Sequence, residues 1–156
     1  MIQHILYPTD GSEASKTALI HLEKLSQVYQ APITLLHCYE FTMGHVLSRY
    51  DTDSAYIQEI EERFAQHGQV MLDELAQELT DKGLNIAKKI VLKGAAGPII
   101  VRVAHEEACD LILMGTRGFG SIRSFFLGST SHYVSNHIKD IALYLIPATE
   151  AHQTAD

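Results

Sequence analysis

Short apolar runs alternate with amphipathic helical patterns along the whole chain, and this alternation limits the possible fold more than any other feature. The runs have the length of strands and cover residues 2–7, 33–39, 86–92, 111–114 and 141–146. Helical spacing of apolar residues follows each of the first four runs. Strands that are joined through helices pair in parallel, because the helix carries the chain back to the starting end. We therefore predict an α/β fold, a parallel sheet with helices on both faces.

The longest helical pattern covers residues 56–81 and predicts one buried stripe. The apolar residues of that stripe are Ile57, Ile60, Phe64, Met71, Leu75 and Leu79. Lys88 and Lys89 interrupt the strand pattern that follows, and such charges are typical of the edge of a sheet. The pattern therefore predicts that residues 86–92 form an edge strand.

Length and composition indicate one globular domain. The chain has 156 residues, and we place the domain at residues 1–147 and a polar tail at residues 148–156. Apolar residues make up 46% and charged residues 20%, which is ordinary for a soluble protein. The net charge is −7 and the basic residues are dispersed, so duplex nucleic acid and anionic membranes are poor partners.

The sequence also bears on the compartment. Met1 leads directly into a strand-like run, without the basic and apolar stretches of a signal peptide. All apolar runs stay below the ~18 residues that a membrane span needs. Cys38 and Cys109 are too few for a disulfide framework. We therefore expect a cytoplasmic protein.

A glycine-rich segment follows the fourth predicted strand. Gly115 and Gly118 are separated by two residues, and after nine more residues Gly128 and Ser129 begin a helical pattern. Glycine lets the main chain approach an anion closely. Free N–H groups at a helix N-terminus attract negative charge. The segment therefore predicts a backbone cradle for phosphate, although it lacks the lysine of a P-loop.

The pattern Gly-x2-Gly-x9-Gly-Ser resembles that of the nucleotide-binding members of the universal stress protein family. Residues 5–12, 35–38 and 110–115 look like that family's first strand and loop, the end of its second strand, and its fourth strand. The resemblance covers residues 2–146. It implies a single doubly wound domain with five parallel strands in the order 3-2-1-4-5. It also implies that ATP, or AMP or another adenine nucleotide, binds at the carboxyl ends of the strands, with Mg²⁺ able to arrive on the phosphates.

The resemblance implies which segments form the nucleotide site. Asp10 would contact the nucleoside, although its carboxylate can also cap the first helix or close an Asp-Gly turn. Cys38 would offer its backbone N–H and C=O to the adenine edge. Ser129 can donate its hydroxyl to a phosphate or cap the last helix. The predicted nucleotide-binding residues are Pro8, Thr9, Asp10, Cys38, Met114, Gly115, Arg117, Gly118, Gly128, Ser129, Thr130 and Ser131.

The function implied by the resemblance is regulation in the stress response, with the nucleotide as a conformational ligand. We predict no catalytic residue, because no motif supplies the charged groups that fast phosphoryl transfer needs. Any ATP hydrolysis should be slow. Two alternatives stay open: a sensor of AMP or of a cyclic nucleotide, and an enzyme that is either a slow ATPase or a phosphotransferase that modifies itself.

Partners and metals are less constrained by the sequence. His105 and Cys109 are four residues apart, but two ligands fall short of a metal site. The segment 141–146 is almost entirely apolar and would associate with another copy if it lay at the sheet edge. The family commonly dimerises through its last strand, so the resemblance implies a homodimer. The sequence does not identify a protein partner.

Overall fold

The computed structural model describes residues 1–40, 54–116 and 127–147. Arg117, Gly118 and the predicted tail at residues 148–156 lie outside the described residues. The strands are β1 (Ile5–Pro8), β2 (Ile33–Tyr39), β3 (Ile86–Lys93), β4 (Leu111–Gly115) and β5 (Ala142–Ile146). The helices are α1 (Glu13–Tyr29), α2 (Ser54–Asp81), α3 (Ala96–Glu106) and α4 (Ser129–His137).

The strands form one parallel sheet in the order β3-β2-β1-β4-β5, which confirms the predicted fold. Ile5 of β1 pairs with Ile33 on one side and with Leu111 on the other, so β1 is the central strand. The predicted edge position of β3 is also confirmed, and β5 forms the opposite edge. This order places the ends of β1 and β4 side by side, where a doubly wound sheet binds its ligands.

Each face of the sheet has its own hydrophobic core, because successive strand residues point to opposite faces. Ile5 and Tyr7 belong to the core under α1 and α2, which Leu22 and Leu72 complete. Leu6 belongs to the core under α3 and α4. A strand covered by helices on both faces must be apolar throughout, which is why the central strands are continuous apolar runs rather than alternating ones.

The first strand is shorter than the predicted run at residues 2–7. It begins at Ile5, and the two backbone amides at positions 3 and 4 donate to a side chain rather than to a strand carbonyl. The Asp110 carboxylate accepts hydrogen bonds from the amides of Gln3 and His4, with N–O distances of 2.7 and 3.0 Å. The apolar pattern therefore overestimates the strand at its start.

The predicted stripe of α2 is correct in its second half and wrong at Phe64. Leu79 is fully buried, as is Leu72 two turns earlier, whereas the side chain of Phe64 is 44% exposed. The Phe64 ring stacks on Tyr39, the last residue of β2, with ring centroids 6.3 Å apart. This part of α2 therefore packs at the end of β2, and Phe64 belongs to neither of the two hydrophobic cores formed by the described residues. Neither α2 nor any other described helix is long and apolar enough to cross a membrane.

Candidate functional site

The turn that follows β1 contains two hydrogen bonds of its own. The Asp10 carboxylate accepts from the Ser12 amide at 2.9 Å, and the Thr9 hydroxyl accepts from the Gly11 amide at 3.2 Å. Gly11 has φ of 77°, which favours glycine at this position. Ser12 caps α1 by accepting from the Ser15 amide. Asp10 therefore closes the turn, as one of the two sequence-based interpretations proposed, and Ser12 takes the capping role.

One oxygen of Asp10 remains available after the turn is closed. Its Oδ1 atom is the one that binds Ser12, and no partner is found for Oδ2 among the described residues. The side chain is exposed at the carboxyl end of the central strand. A carboxylate in this position can accept hydrogen bonds from a ligand without losing its structural role.

The N-terminus of α4 presents free amides at the same edge of the sheet. Gly128 occupies the N-cap, so the Ser129 hydroxyl does not cap the helix. The first helical bond runs from the His132 amide to the Gly128 carbonyl at 2.9 Å. The amides of Ser129, Thr130 and Ser131 precede that bond and lie outside the helical ladder. They form the kind of donor set that binds an anion at a helix N-terminus.

Ser131 plays a different part from Ser129. Its side chain is 1% exposed, and its hydroxyl lies 3.0 Å from the Thr116 carbonyl, to which it donates. The Gly128 amide donates to the same carbonyl at 2.8 Å. These two bonds join the end of β4 to the start of α4. The Ser131 hydroxyl is therefore committed to the protein, and only its amide is available to a ligand.

A cavity of about 410 Å³ lies between the end of β2 and the start of α4. Three of the predicted site residues line it, namely Cys38, Ser129 and Thr130. The remaining lining residues among those described are Glu40, Gly94, Ala95, Ala96, Gly97, Pro98 and Tyr133. Pro8, Thr9, Asp10, Met114, Gly115, Gly128 and Ser131 do not line it, and Arg117 and Gly118 lie outside the described residues.

Residues 94–98, which comprise the loop between β3 and α3 and the first turn of α3, are not among the predicted site residues. These residues form one wall of the cavity. The position of this loop was the available signal, because it follows the carboxyl end of a parallel strand, where ligands bind. Its approach to α4 is close, since a Cβ atom on Gly97 would lie 2.8 Å from the Tyr133 ring.

The charges around the cavity are unevenly distributed. The first turns of α3 and α4 both face it, and helix N-termini carry partial positive charge. Glu40 supplies a carboxylate at the β2 end. Burial raises the pKa of the Cys38 thiol to about 12, with the Arg102 charge opposing the rise and Glu40 adding to it. The cavity thus favours negative charge near α4 and neutral groups near β2.

The described part of the chain contains no group of three or more histidine, cysteine or acidic residues that could hold a metal. The described lining residues also include no lysine or arginine. Among the described residues, the groups that could hold an anion in this cavity are backbone dipoles and hydroxyls. Such groups bind phosphate well but provide little of the charge stabilisation that phosphoryl transfer requires.

Comparison with known proteins gives consistent results. The model of the Universal stress protein family matches residues 1–140. A universal stress protein of Thermus aquaticus is 31% identical over 134 residues, which span 86% of this chain and 91% of that protein. Universal stress protein MJ0577 of Methanocaldococcus jannaschii is 26% identical over 145 residues, spanning 86% of this chain and 88% of that protein.

Two solved structures have the same fold. The structure of MJ0577 superimposes with a TM-score of 0.82 at 23% identity, covering 97% of this chain and 99% of that one. A universal stress protein in complex with cAMP superimposes with a TM-score of 0.66 at 19% identity, covering 95% of this chain and 98% of that one.

Proposed function

The chain belongs to the universal stress protein family, and we propose that it binds an adenine nucleotide, with ATP as the expected ligand, to regulate a stress response. The observation that carries the proposal is the cavity between β2 and the free amides of α4. The nucleotide would act as a conformational ligand. That requires two arrangements of the protein that differ in their affinity for it.

The uneven charge of the cavity favours one orientation of the nucleotide. Phosphates would lie against the amides of Ser129, Thr130 and Ser131, where the helix dipole stabilises negative charge. Glu40 would repel phosphates from the β2 end and accept hydrogen bonds from an amino group or a hydroxyl. The backbone of Cys38 would contact the adenine edge. The free oxygen of Asp10 would accept from a ribose hydroxyl.

The glycine-rich segment completes the proposed cradle. Met114 and Gly115 end β4 beside the end of β1, and Gly128 begins the N-terminus of α4. Arg117 and Gly118 would come from the same segment, as the resemblance implies. Mg²⁺ would arrive with ATP and be held mainly by phosphate oxygens and water.

A cyclic nucleotide is the second candidate ligand. A universal stress protein that was solved in complex with cAMP shares the fold of this chain. The absence of lysine and arginine from the described lining also suits a ligand with a single phosphate charge. AMP remains a third adenine ligand, and a slow ATPase or self-modifying activity remains the enzymatic alternative.

We also propose a homodimer that forms through β5, because this strand is an open edge of the sheet. A cytoplasmic location and an unidentified protein partner complete the proposed role. Nothing in the described cavity suggests nucleic acid as a ligand, since its described side chains carry no positive charge.

Calorimetric titration of the protein with ATP, AMP, cAMP and GTP tests this proposal. We expect ATP or another adenine nucleotide to bind more tightly than GTP. The variant Ser129→Asp should weaken ATP binding at least about tenfold, because its carboxylate repels the phosphates. The same carboxylate favours the helix N-terminus, so the fold should be retained.

Ser129→Asn is the matched control, since it has the size of the aspartate variant without the charge. It should bind ATP with nearly the affinity of the original protein. Adenosine, which has no phosphate, should distinguish the variants less than ATP does. The proposal fails if no adenine nucleotide binds at millimolar concentration, or if Ser129→Asp binds ATP unchanged.

A further inference from the structure

His37 lies on the face of β2 opposite the cavity but contacts the turn that carries Asp10. Successive strand residues alternate between faces, so Cys38 faces α3 and α4 while His37 faces α2. The His37 ring is half-buried, and its Nδ1 atom lies 2.9 Å from the Thr9 carbonyl oxygen. A carbonyl can only accept, so Nδ1 carries the hydrogen in this bond.

Two neighbouring residues of β2 form hydrogen bonds with Thr9, one with its backbone N–H and the other with its backbone C=O. The Thr9 amide donates to the Leu36 carbonyl at 2.9 Å, and the Thr9 carbonyl accepts from His37 at 2.9 Å. The second bond extends beyond the end of the strand ladder and fixes the peptide that joins Thr9 to Asp10. The direction in which Asp10 leaves the sheet therefore depends on the His37 side chain.

The packing of α2 makes room for this ring. A Cβ atom on Gly68 would lie 2.6 Å from Cδ2 of His37 and 3.1 Å from Cγ1 of Val91. Gly68 lies inside a helix of 28 residues, where glycine costs roughly 1 kcal/mol relative to alanine. The helix thus contains a destabilising residue at the position where the imidazole needs space. This is independent evidence that the ring position is built into the fold.

We propose that His37 is a positioning residue for the nucleotide site. Its side chain holds the Thr9–Asp10 peptide so that Asp10 is presented to the ribose. The inference rests on the proposed function. His37 does not touch the nucleotide, because it lies on the other face of the sheet. It acts through Asp10, and its effect is confined to ligands that contain a nucleoside.

The test compares His37→Asn with His37→Leu by calorimetric titration with ATP and with inorganic tripolyphosphate. Asparagine places an N–H donor close to the position of Nδ1, whereas leucine has none. We expect His37→Leu to weaken ATP binding about fivefold, as the loss of one hydrogen bond does. His37→Asn should stay within about twofold of the original protein. Tripolyphosphate, which uses only the helix amides, should bind all three proteins equally.

A second comparison shows whether His37 acts through Asp10. In an Asp10→Ala background, His37→Leu should have no further effect on ATP affinity. If His37→Leu does not fold, His37→Gln replaces it, because glutamine places its donor near Nε2 instead of Nδ1.

The outcomes separate this inference from the proposed function. If the original protein binds no adenine nucleotide, the proposed function itself is overturned. ATP bound equally by the original and His37→Leu proteins would overturn the positioning role alone. The positioning role would also be overturned if His37→Asn bound ATP as weakly as His37→Leu, or if His37→Leu lost equal affinity for ATP and for tripolyphosphate. The same holds if His37→Leu weakened ATP binding by its full factor in the Asp10→Ala background.

Discussion

Cys38 lies in the wall of the cavity, yet its thiol is held in the protonated form. Burial raises its pKa to about 12. Because the thiolate is the reactive species, we expect iodoacetamide at pH 8 to modify Cys38 at least about 100-fold more slowly in the folded protein than in urea. Mass spectrometry of digests taken over time measures both rates.

Cys109 provides an internal control for this measurement. Burial raises the pKa of its thiol to about 12 as well, with the charges of Glu107 and Asp110 adding to the rise. Both cysteines should therefore be slow. Fast modification of Cys38 alone would mean that a thiolate forms in the cavity, and the binding role of that wall would need revision.

Ser129 and Ser131 show how far residue type predicts a role. Both were expected to supply donors for phosphate, and both lie in the first turn of α4. Residues two positions apart on a helix point in nearly opposite directions. Ser129 is exposed at the cavity, while Ser131 is buried against Thr116. The spacing determines that the two serines differ, but only the packed structure shows which one faces the cavity.

At the scale of elements, the contact between α3 and α4 depends on Gly97. An added Cβ would lie 2.8–2.9 Å from Cβ, Cγ and Cδ1 of Tyr133, which are the root of that side chain and not its flexible end. The Tyr133 ring is also stacked on His137, with centroids 3.8 Å apart. We expect Gly97→Ala to lower the free energy of unfolding by about 1–3 kcal/mol, as overpacking does. Urea unfolding followed by circular dichroism measures it.

The double variant with Tyr133→Ala is the control for Gly97→Ala. Once the ring is removed, alanine at position 97 should be neutral or stabilising, because it forms helix better than glycine. A loss of the same size in both backgrounds would show that the cost arises from the backbone at Gly97 and not from contact between the helices.

For the whole molecule, the two edges of the sheet differ in charge. On β3, Lys88 pairs with Glu107 and Lys89 pairs with Asp73, and such edge charges oppose strand addition. The residues of β5 carry no charge. Charge therefore opposes strand addition less at β5 than at β3.

Leu143→Pro tests this mode of association. The Ala142 amide donates to the Asp110 carbonyl and the Ile146 carbonyl accepts from Thr116, so these residues direct their backbone groups towards β4. In a parallel strand the alternate residues face the other way, and Leu143 directs its amide outwards. Proline removes that donor without breaking a bond to β4. We expect the variant to be monomeric by light scattering after size-exclusion chromatography.

Leu143→Ala is the matched control, because it loses the same packing but keeps the outward amide. It should remain dimeric. If Leu143→Pro is still a dimer, the interface lies elsewhere on the molecule. If the original protein is a monomer at micromolar concentration, β5 is not an interface between copies of this chain.

Much of the architecture could be predicted from local pattern. The predicted bounds of β2 at residues 33–39 and the predicted start of α4 at Ser129 are those of the structure. Periodicity predicted strands, helices and a parallel sheet, because these depend on neighbours in sequence. The strand order came from the family resemblance, since periodicity carries no information about which strands are adjacent.

The sequence by itself determined the alternating elements, the glycine-serine segment and the position of Asp10 after the central strand. Only the tertiary structure decided that Glu40, the loop at residues 94–98 and Tyr133 share one cavity, and that His37 supports the turn from the opposite face. The physical reason is that a helical crossover brings distant segments to one edge of the sheet. Local spacing cannot report a contact that arises only when the layers pack.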